Sequence, residues 1–117
     1  MSAKPNLTVD ADTARAASVF VVRVAARFPV SGAILFGSRA RGSHRPDSDT
    51  DIAVLLSGHR GEFVDTKLAM ADIAYEVLLE TGVYIQPLPI WEDEWEHPES
   101  YSNPRLLQNI SDTGIRL

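Results

Sequence analysis

The chain has 117 residues, a formal net charge of −5 and no cysteine. This length predicts a single domain over residues 1–117 with one core. The lack of cysteine excludes disulfides and thiolate metal sites, and the acidic balance argues against broad electrostatic binding to nucleic acid, which needs a basic face. We see no signal-peptide pattern and no apolar run of membrane-spanning length, so we expect a cytoplasmic protein without a membrane segment.

A helix followed by a short strand is predicted at the start of the chain. Apolar residues recur every three or four positions in an alanine-rich segment that begins at Thr8 or Asp10, either of which offers an N-cap oxygen. Pro29 and Gly32 end this helix. The apolar run at 33–36 is bounded by turn-forming residues, which is typical of a buried strand.

The first predicted strand leads into the run Gly-Ser-Arg-Ala-Arg-Gly at residues 37–42. A turn at Gly37-Ser38 can bring backbone N–H groups close to a phosphate, and we expect a helical turn at 39–43. Three arginines fall within seven positions of an acidic chain, which favours a phosphate-facing role for at least one, with surface ion pairs as the alternative. These residues are Arg39, Arg41 and Arg45.

A second apolar strand, from Asp49 to about Leu56, opens with two carboxylates and follows a predicted turn at 45–47. Because side chains alternate faces along a strand, Asp49 and Asp51 point the same way, roughly 7 Å apart. Two such carboxylates repel each other unless a cation lies between them, and Mg²⁺ suits that position because it accepts carboxylates together with substrate phosphates. Ser48 either supports this metal site or caps the turn. Solvated strand-end acids are the alternative interpretation.

The sequence pattern of the second half of the chain predicts a long helix, a strand and two short helical segments. The helix spans Glu62 to Glu80, Gly82 stops it, and its predicted buried stripe is Val64, Leu68, Ala71, Ala74, Tyr75 and Leu78. The strand at 83–90 contains two alternate prolines that cannot donate ladder hydrogen bonds, which predicts an edge strand. An acidic helical turn at 91–96 and a last helix between 103 and 114 follow.

The Gly-Ser turn and the Asp-x-Asp pair, each attached to a strand, resemble the signature of the polymerase-beta-like nucleotidyltransferase superfamily. The fuller run, Gly-Ser-Arg-Ala-Arg-Gly followed by Ser-Asp-x-Asp, is similar to its small bacterial branch, the minimal nucleotidyltransferases. The predicted fold is accordingly α/β, with a small mixed β-sheet and helices packed mainly on one face.

The resemblance implies transfer of a nucleoside monophosphate from a triphosphate to a hydroxyl acceptor with release of pyrophosphate. The expected nucleotide is AMP, transferred from ATP. It implies that Gly37 and Ser38 hold the β- and γ-phosphates, and that Asp49 and Asp51 hold one or two Mg²⁺ ions. Arg41 is the first choice for stabilising phosphate charge. The candidate nucleotide-binding residues are Gly37, Ser38, Arg39, Arg41 and Ser48.

One feature departs from the pattern of active superfamily members, which carry a third carboxylate on a neighbouring strand. That carboxylate helps to bind metal and activates the attacking hydroxyl. The corresponding strand here is 83–90, where Gln86 stands at the position of the replaced acid, and an amide is neither an anionic ligand nor a general base. The acids that could compensate in space are Asp65, Glu92 and Asp93.

Two hypotheses about partners follow from the resemblance and from Gln86. The resemblance to minimal nucleotidyltransferases implies an antitoxin that pairs with a helical HEPN-type toxin. The acceptor hydroxyl would then lie on that partner protein. Gln86 favours the alternative, a catalytically degenerate nucleotide-binding or partner-binding module. Trp91 and Trp95, at i and i+4, share one face of the predicted helical turn, and both packing against the domain and a partner surface fit that spacing.

Overall fold

The computed structural model describes residues 9–42, 45 and 48–117. Within them, helices and strands follow the predicted order with two additions, a 3₁₀ turn at Pro98–Ser100 before the last helix and a two-residue strand after it. The helices are α1 Ala11–Ala25, α2 Ser38–Arg41, α3 Phe63–Thr81, α4 Glu92–Glu96 and α5 Pro104–Thr113. The strands are β1 Val30–Phe36, β2 Thr50–Leu56, β3 Ile85–Trp91 and β4 Ile115–Arg116.

The four strands form one mixed sheet in the order β3-β2-β1-β4. Strands β2 and β3 are parallel, whereas β1 is antiparallel to both β2 and β4. The predicted α/β class with a small mixed sheet is therefore confirmed. Strand β3 lies at an edge of the sheet, as its alternate prolines predicted, because an edge strand needs ladder hydrogen bonds on one side only.

Local capping explains where α1 begins and where α3 ends. Asp10 is the N-cap of α1, and its carboxylate accepts hydrogen bonds from the Thr13 amide at 3.1 Å and the Thr13 hydroxyl at 2.5 Å. The other predicted N-cap, Thr8, lies outside the described residues. Gly82 ends α3 in the left-handed conformation, with φ of 77°, as its sequence position predicted.

The sheet buries an apolar cluster on each face. The two long helices, α1 and α3, cover one face through residues such as Phe20 and Val77, which pack with Ile52 of β2. On the opposite face, α5 contributes Leu107 to a smaller cluster. The long helices therefore share one face, as predicted, and short C-terminal elements close the other.

The predicted pairing of the two tryptophans on one helix face is wrong. Trp91 is still part of β3, packs into the larger cluster and is 6% exposed. Trp95 lies in α4 and packs against the smaller cluster. The helical spacing does not apply, because the strand continues to Trp91 before the helix begins. Both side chains pack against the domain.

The predicted buried face of α3 is also wrong. The buried residues of α3 are Met70, Ile73, Ala74 and Val77. Of the predicted stripe only Ala74 is among them, and Leu68 and Tyr75 are 60% and 58% exposed. The helix carries two apolar faces, and periodicity alone does not tell which of them meets the sheet.

Candidate active site

The predicted site lies where β1 ends and β2 and β3 begin. In the sheet register, Asp51 of β2 pairs with Phe36 of β1 on one side and with Gln86 of β3 on the other. Asp49 immediately precedes β2 and is exposed, whereas Asp51 is half-buried. The end of the sheet at which β1 stops and β2 and β3 start therefore brings together the Gly-Ser turn, the two carboxylates and the glutamine.

Gly37 has both a conformational and a steric reason to be glycine. Its φ is 78°, in the left-handed region, and a Cβ on this residue would lie 2.5 Å from Oδ2 of Asp51. The backbone of the turn thus lies directly against the carboxylate. The two halves of the sequence motif form one site.

The electrostatics of Asp51 are those of an uncompensated acid. Burial raises the pKa of the Asp51 carboxyl, and the nearby negative charge of Asp49 raises it further. No hydrogen bond or ion pair from the described residues reaches this carboxylate. A bound cation would favour the ionised form of both acids.

The donor set fits a hard divalent cation that is completed by the substrate. Across residues 9–42, 45 and 48–117, no three His, Asp or Glu side chains gather in a metal-binding arrangement. Mg²⁺ needs only one or two carboxylates from a protein, and substrate phosphates and water supply its remaining ligands. Asp49 and Asp51 are the residues that would hold it.

The three arginines of the motif occupy different environments. Arg39 is 4% exposed, and its guanidinium donates to the Thr13 hydroxyl at 2.8 Å and to the Ser48 carbonyl at 3.1 and 2.8 Å. These bonds join the start of α1 to the residue before Asp49. Arg41, at the end of α2, and Arg45 are both exposed.

The remaining candidate residues between the Gly-Ser turn and β2 have local roles where they are described. Ser38 begins α2, directly after the Gly37 turn. The Ser48 hydroxyl and amide both donate to the Arg45 carbonyl, at 2.8 and 3.1 Å, so this serine closes a turn as one of its two interpretations predicted. Residues 46 and 47, within the predicted turn, and Ser43 of the predicted helical turn lie outside the described residues.

Gln86 lies in register with Asp51, whereas the three acids proposed to compensate for the missing carboxylate lie away from the site. Residues paired across neighbouring parallel strands point to the same face, so the exposed Gln86 side chain lies on the face of Asp51. The carboxylate of Glu92 accepts from the Gly58 amide at 3.0 Å, and that of Asp93 from the Arg60 amide at 3.4 Å. Both contacts lie beyond the opposite end of β2.

Asp65 is at that same distant end, in the first turn of α3 after the loop that follows β2. Strand β2 has seven residues, which is about 20 Å of extended chain. The idea that Asp65, Glu92 or Asp93 replaces the third carboxylate is therefore wrong.

Sequence reasoning missed two features around the site. One is the buried hydrogen-bond network of Arg39, which the position of this arginine two residues after Gly37 does not reveal. The other is Thr50, whose hydroxyl is fully buried without a hydrogen-bond partner among the described residues. No signal in the sequence predicts that the side chains of Arg39 and Thr50 are buried.

Comparison with known proteins agrees with this geometry. The model of the nucleotidyltransferase domain family matches residues 19–111, which include both β1 and β2 with the motif between them. The chain belongs to this nucleotidyltransferase family. Membership implies a nucleoside triphosphate substrate and a divalent metal. A search of curated proteins returned no match.

The fold is also similar to a solved structure. A Sulfolobus solfataricus protein, assigned as a nucleotidyltransferase in its crystal structure, aligns with a TM-score of 0.58 and 20% sequence identity. The alignment covers 98% of this chain and 90% of that chain. At this identity the likeness shows the nucleotidyltransferase fold. No helix among the described residues combines the length and apolarity needed to cross a bilayer.

Proposed function

We propose that this nucleotidyltransferase transfers AMP from Mg²⁺-bound ATP to a hydroxyl on a partner protein. The observation that carries the proposal is the contact between the Gly37 backbone and the Asp51 carboxylate, whose pKa is raised by burial and by Asp49. A phosphate-binding turn and a pair of uncompensated acids at one sheet edge are the parts that metal-assisted phosphoryl transfer requires.

Each residue has a distinct task in this proposal. Asp49 and Asp51 bind the metal, which when present neutralises charge on the transferred phosphorus and on the departing pyrophosphate. The backbone of Gly37 and Ser38 orients the β- and γ-phosphates. Arg41 reaches the phosphates from the end of α2, because its side chain is exposed, whereas Arg39 is held inside the fold.

Gln86 determines how the acceptor hydroxyl is activated. An amide takes no proton from a hydroxyl at neutral pH, so the chain lacks a general base at this strand position. We propose that the partner supplies both the hydroxyl and the group that deprotonates it. Resemblance to the minimal nucleotidyltransferases supports a HEPN-type toxin as that partner, with this chain as the antitoxin. The cysteine-free composition suits the cytoplasm.

A second candidate function rests on the same glutamine. A degenerate module that binds nucleotide, or docks on its partner, without transfer needs the turn and the two acids but no third carboxylate. Gln86, on the face of Asp51, is the observation that favours it.

Label transfer from α-phosphate-labelled ATP to a HEPN-type partner separates the two candidates. We expect Mg²⁺-dependent labelling by the wild-type chain and its loss in Asp49→Asn and Asp51→Asn. Asp112→Asn is the matched control, because Asp112 is an exposed acid on α5. ATP binding without labelling would favour the degenerate module, and the absence of Mg²⁺-dependent nucleotide binding would overturn both transfer and nucleotide binding and leave only docking on a partner.

A further inference from the structure

Helix α3 presents an apolar stripe to solvent on the side opposite the sheet. Its members are Val64, Leu68, Ala71, Tyr75 and Leu79, called here the outer stripe. The four large side chains are 64%, 60%, 58% and 69% exposed, in chain order. Six large hydrophobic residues are strongly exposed in the described part of the chain, and four of them lie on this one helix face. Such a concentration marks an interaction surface.

The spacing of the outer stripe is that of a helix–helix seam. Steps of four, three and four residues from Val64 to Tyr75 place apolar side chains at the a and d positions of a heptad repeat. In this frame Leu68 and Tyr75 are a positions and Val64 and Ala71 are d positions. The small side chain of Ala71 stands mid-stripe, where it allows a second helix to approach.

The charged residues beside the stripe are divided between its two flanks. Lys67 takes a g position on one flank, and Asp65 and Asp72 take e positions on the other. None of the three forms an ion pair within the described residues. The Lys67 ammonium lies 5.9 Å from the ring centroid of Phe63, and no carboxylate of the described residues forms an ion pair with it. Both flanks therefore retain charge that a second molecule can satisfy.

We propose that two copies of this chain pair through the outer stripe, with their α3 helices parallel about a two-fold axis. In a parallel pair, a g residue meets the e residue five positions later on the other helix, so Lys67 meets Asp72 of the second copy, twice. In an antiparallel pair, e meets e, which sets Asp65 and Asp72 against the same acids. The charge pattern thus selects the parallel arrangement.

The size of the stripe sets the expected strength of this dimer. A helix of 19 residues is about 28 Å long, and a single pair of such helices offers a small interface by the standard of stable dimers. We therefore expect a reversible dimer whose population depends on protein concentration. The pairing does not depend on the proposed function, because Asp51 lies on the opposite sheet face, with Ala53 and Leu55 of the smaller cluster.

Sedimentation of the full chain over a concentration series tests the association. We expect the mass to rise from 12.9 kDa toward twice that value, and Leu68→Glu or Tyr75→Glu to keep the chain monomeric. Leu117→Glu, at an exposed leucine outside α3, is the matched control and should still dimerise. A wild-type chain that is monomeric throughout, or dimers that Leu68→Glu leaves intact, would overturn the proposal.

Charge reversal tests the arrangement. Lys67→Asp alone and Asp72→Lys alone should each weaken the dimer at least tenfold, because each sets like charges together. An equimolar mixture of the two variants should restore it, since every pair is then opposite in sign. A mixture that stays as weak as its components would contradict the parallel pairing.

Cross-linking gives a second measure of direction, because the chain has no native cysteine. Val64→Cys should form a disulfide with its own copy in a parallel dimer, where Cα atoms within about 7 Å can be bridged. In an antiparallel dimer the d position of residue 64 would instead face the a position of residue 75. Efficient cross-linking between Val64→Cys and Tyr75→Cys chains, with none between two Val64→Cys chains, would exclude the parallel arrangement.

Discussion

The two ends of strand β2 carry acidic residues in opposite electrostatic states. Beyond its C-terminal end, Glu94 accepts from the Trp91 amide at 3.1 Å and lies 3.5 Å from the Arg60 guanidinium. Burial acts to raise the pKa of Asp93, but hydrogen bonds from the Arg60 amide, His59 and the Glu94 amide outweigh it, so the pKa is lowered. Glu92, Asp93 and Glu94 at this end therefore each have protein partners.

At the N-terminal end the same protein leaves its acids uncompensated. Burial and Asp49 both raise the pKa of Asp51, and the described residues supply no donor to its carboxylate. Both ends carry acids, so composition alone does not distinguish them. What distinguishes them is whether the protein provides partners, and a pair of acids left without partners beside the Gly-Ser turn is what a metal-dependent site requires.

The largest effect is expected from completing the acidic end with a third carboxylate. Gln86→Asp places that group in register with Asp51, on the same face of the sheet. Because a general base contributes about 10²–10⁴-fold, we expect transfer to a small hydroxyl acceptor that brings no base of its own to rise by a comparable factor, whereas transfer to the partner should change little. Initial rates of label transfer measure it, with Gln108→Asp on α5 as the matched control. An unchanged rate with the small acceptor would mean that a carboxylate at position 86 does not act as the base.

A comparison of two motif arginines should separate support of the site from contact with the substrate. Arg39→Met leaves the buried Thr13 hydroxyl and the Ser48 carbonyl without their donor, so we expect a loss of about 3 kcal/mol in the free energy of unfolding. Arg41→Met should change it by less than about 0.5 kcal/mol, because Arg41 is exposed.

Denaturant unfolding and ATP titration of the two variants check this pair. Arg41→Met should weaken Mg²⁺-dependent ATP binding while the fold is unaffected. If Arg39→Met were as stable as wild type, the buried network would not support the loop before Asp49.

The smallest effect concerns the buried hydroxyl between the two acids. Thr50→Val replaces an unpartnered hydroxyl by a methyl of similar shape, and we expect a gain of about 1 kcal/mol in unfolding free energy. Thermal unfolding measures it, with Thr81→Val as the control. The Thr81 hydroxyl donates to the Val77 carbonyl at 2.7 Å, so its removal should destabilise. A loss of stability in Thr50→Val would show that the hydroxyl is hydrogen-bonded.

The residues that sequence reasoning placed correctly are those fixed by local rules. The Gly-Ser turn, the apolar strand predicted from Asp49 and observed from Thr50, and the Gly82 helix stop depend on backbone conformation and on apolar runs that neighbouring residues decide. The edge position of β3 followed from its prolines in the same way.

The predictions that failed, or that were not made, depend on tertiary context. The outer stripe of α3 is a valid helical stripe, but which apolar face meets the sheet is decided by packing. Strand β4 has two residues and, within the part of the chain that the structure describes, pairs with β1 alone, so no local pattern predicts it. The burial of Arg39 likewise depends on Thr13, 26 positions earlier in the chain.

Thermal unfolding of wild type and Asp51→Asn, with and without Mg²⁺, tests the metal assignment most directly. Since the pKa of Asp51 is raised by folding, the carboxylate lowers wild-type stability as the pH rises through that pKa. Without metal, we therefore expect Asp51→Asn to be the more stable protein at pH 7, with the difference fading in acid. Mg²⁺ should stabilise the wild type at pH 7 and leave Asp51→Asn unchanged. Equal stabilisation of both proteins by Mg²⁺, or none of either, would contradict a metal site at Asp49 and Asp51.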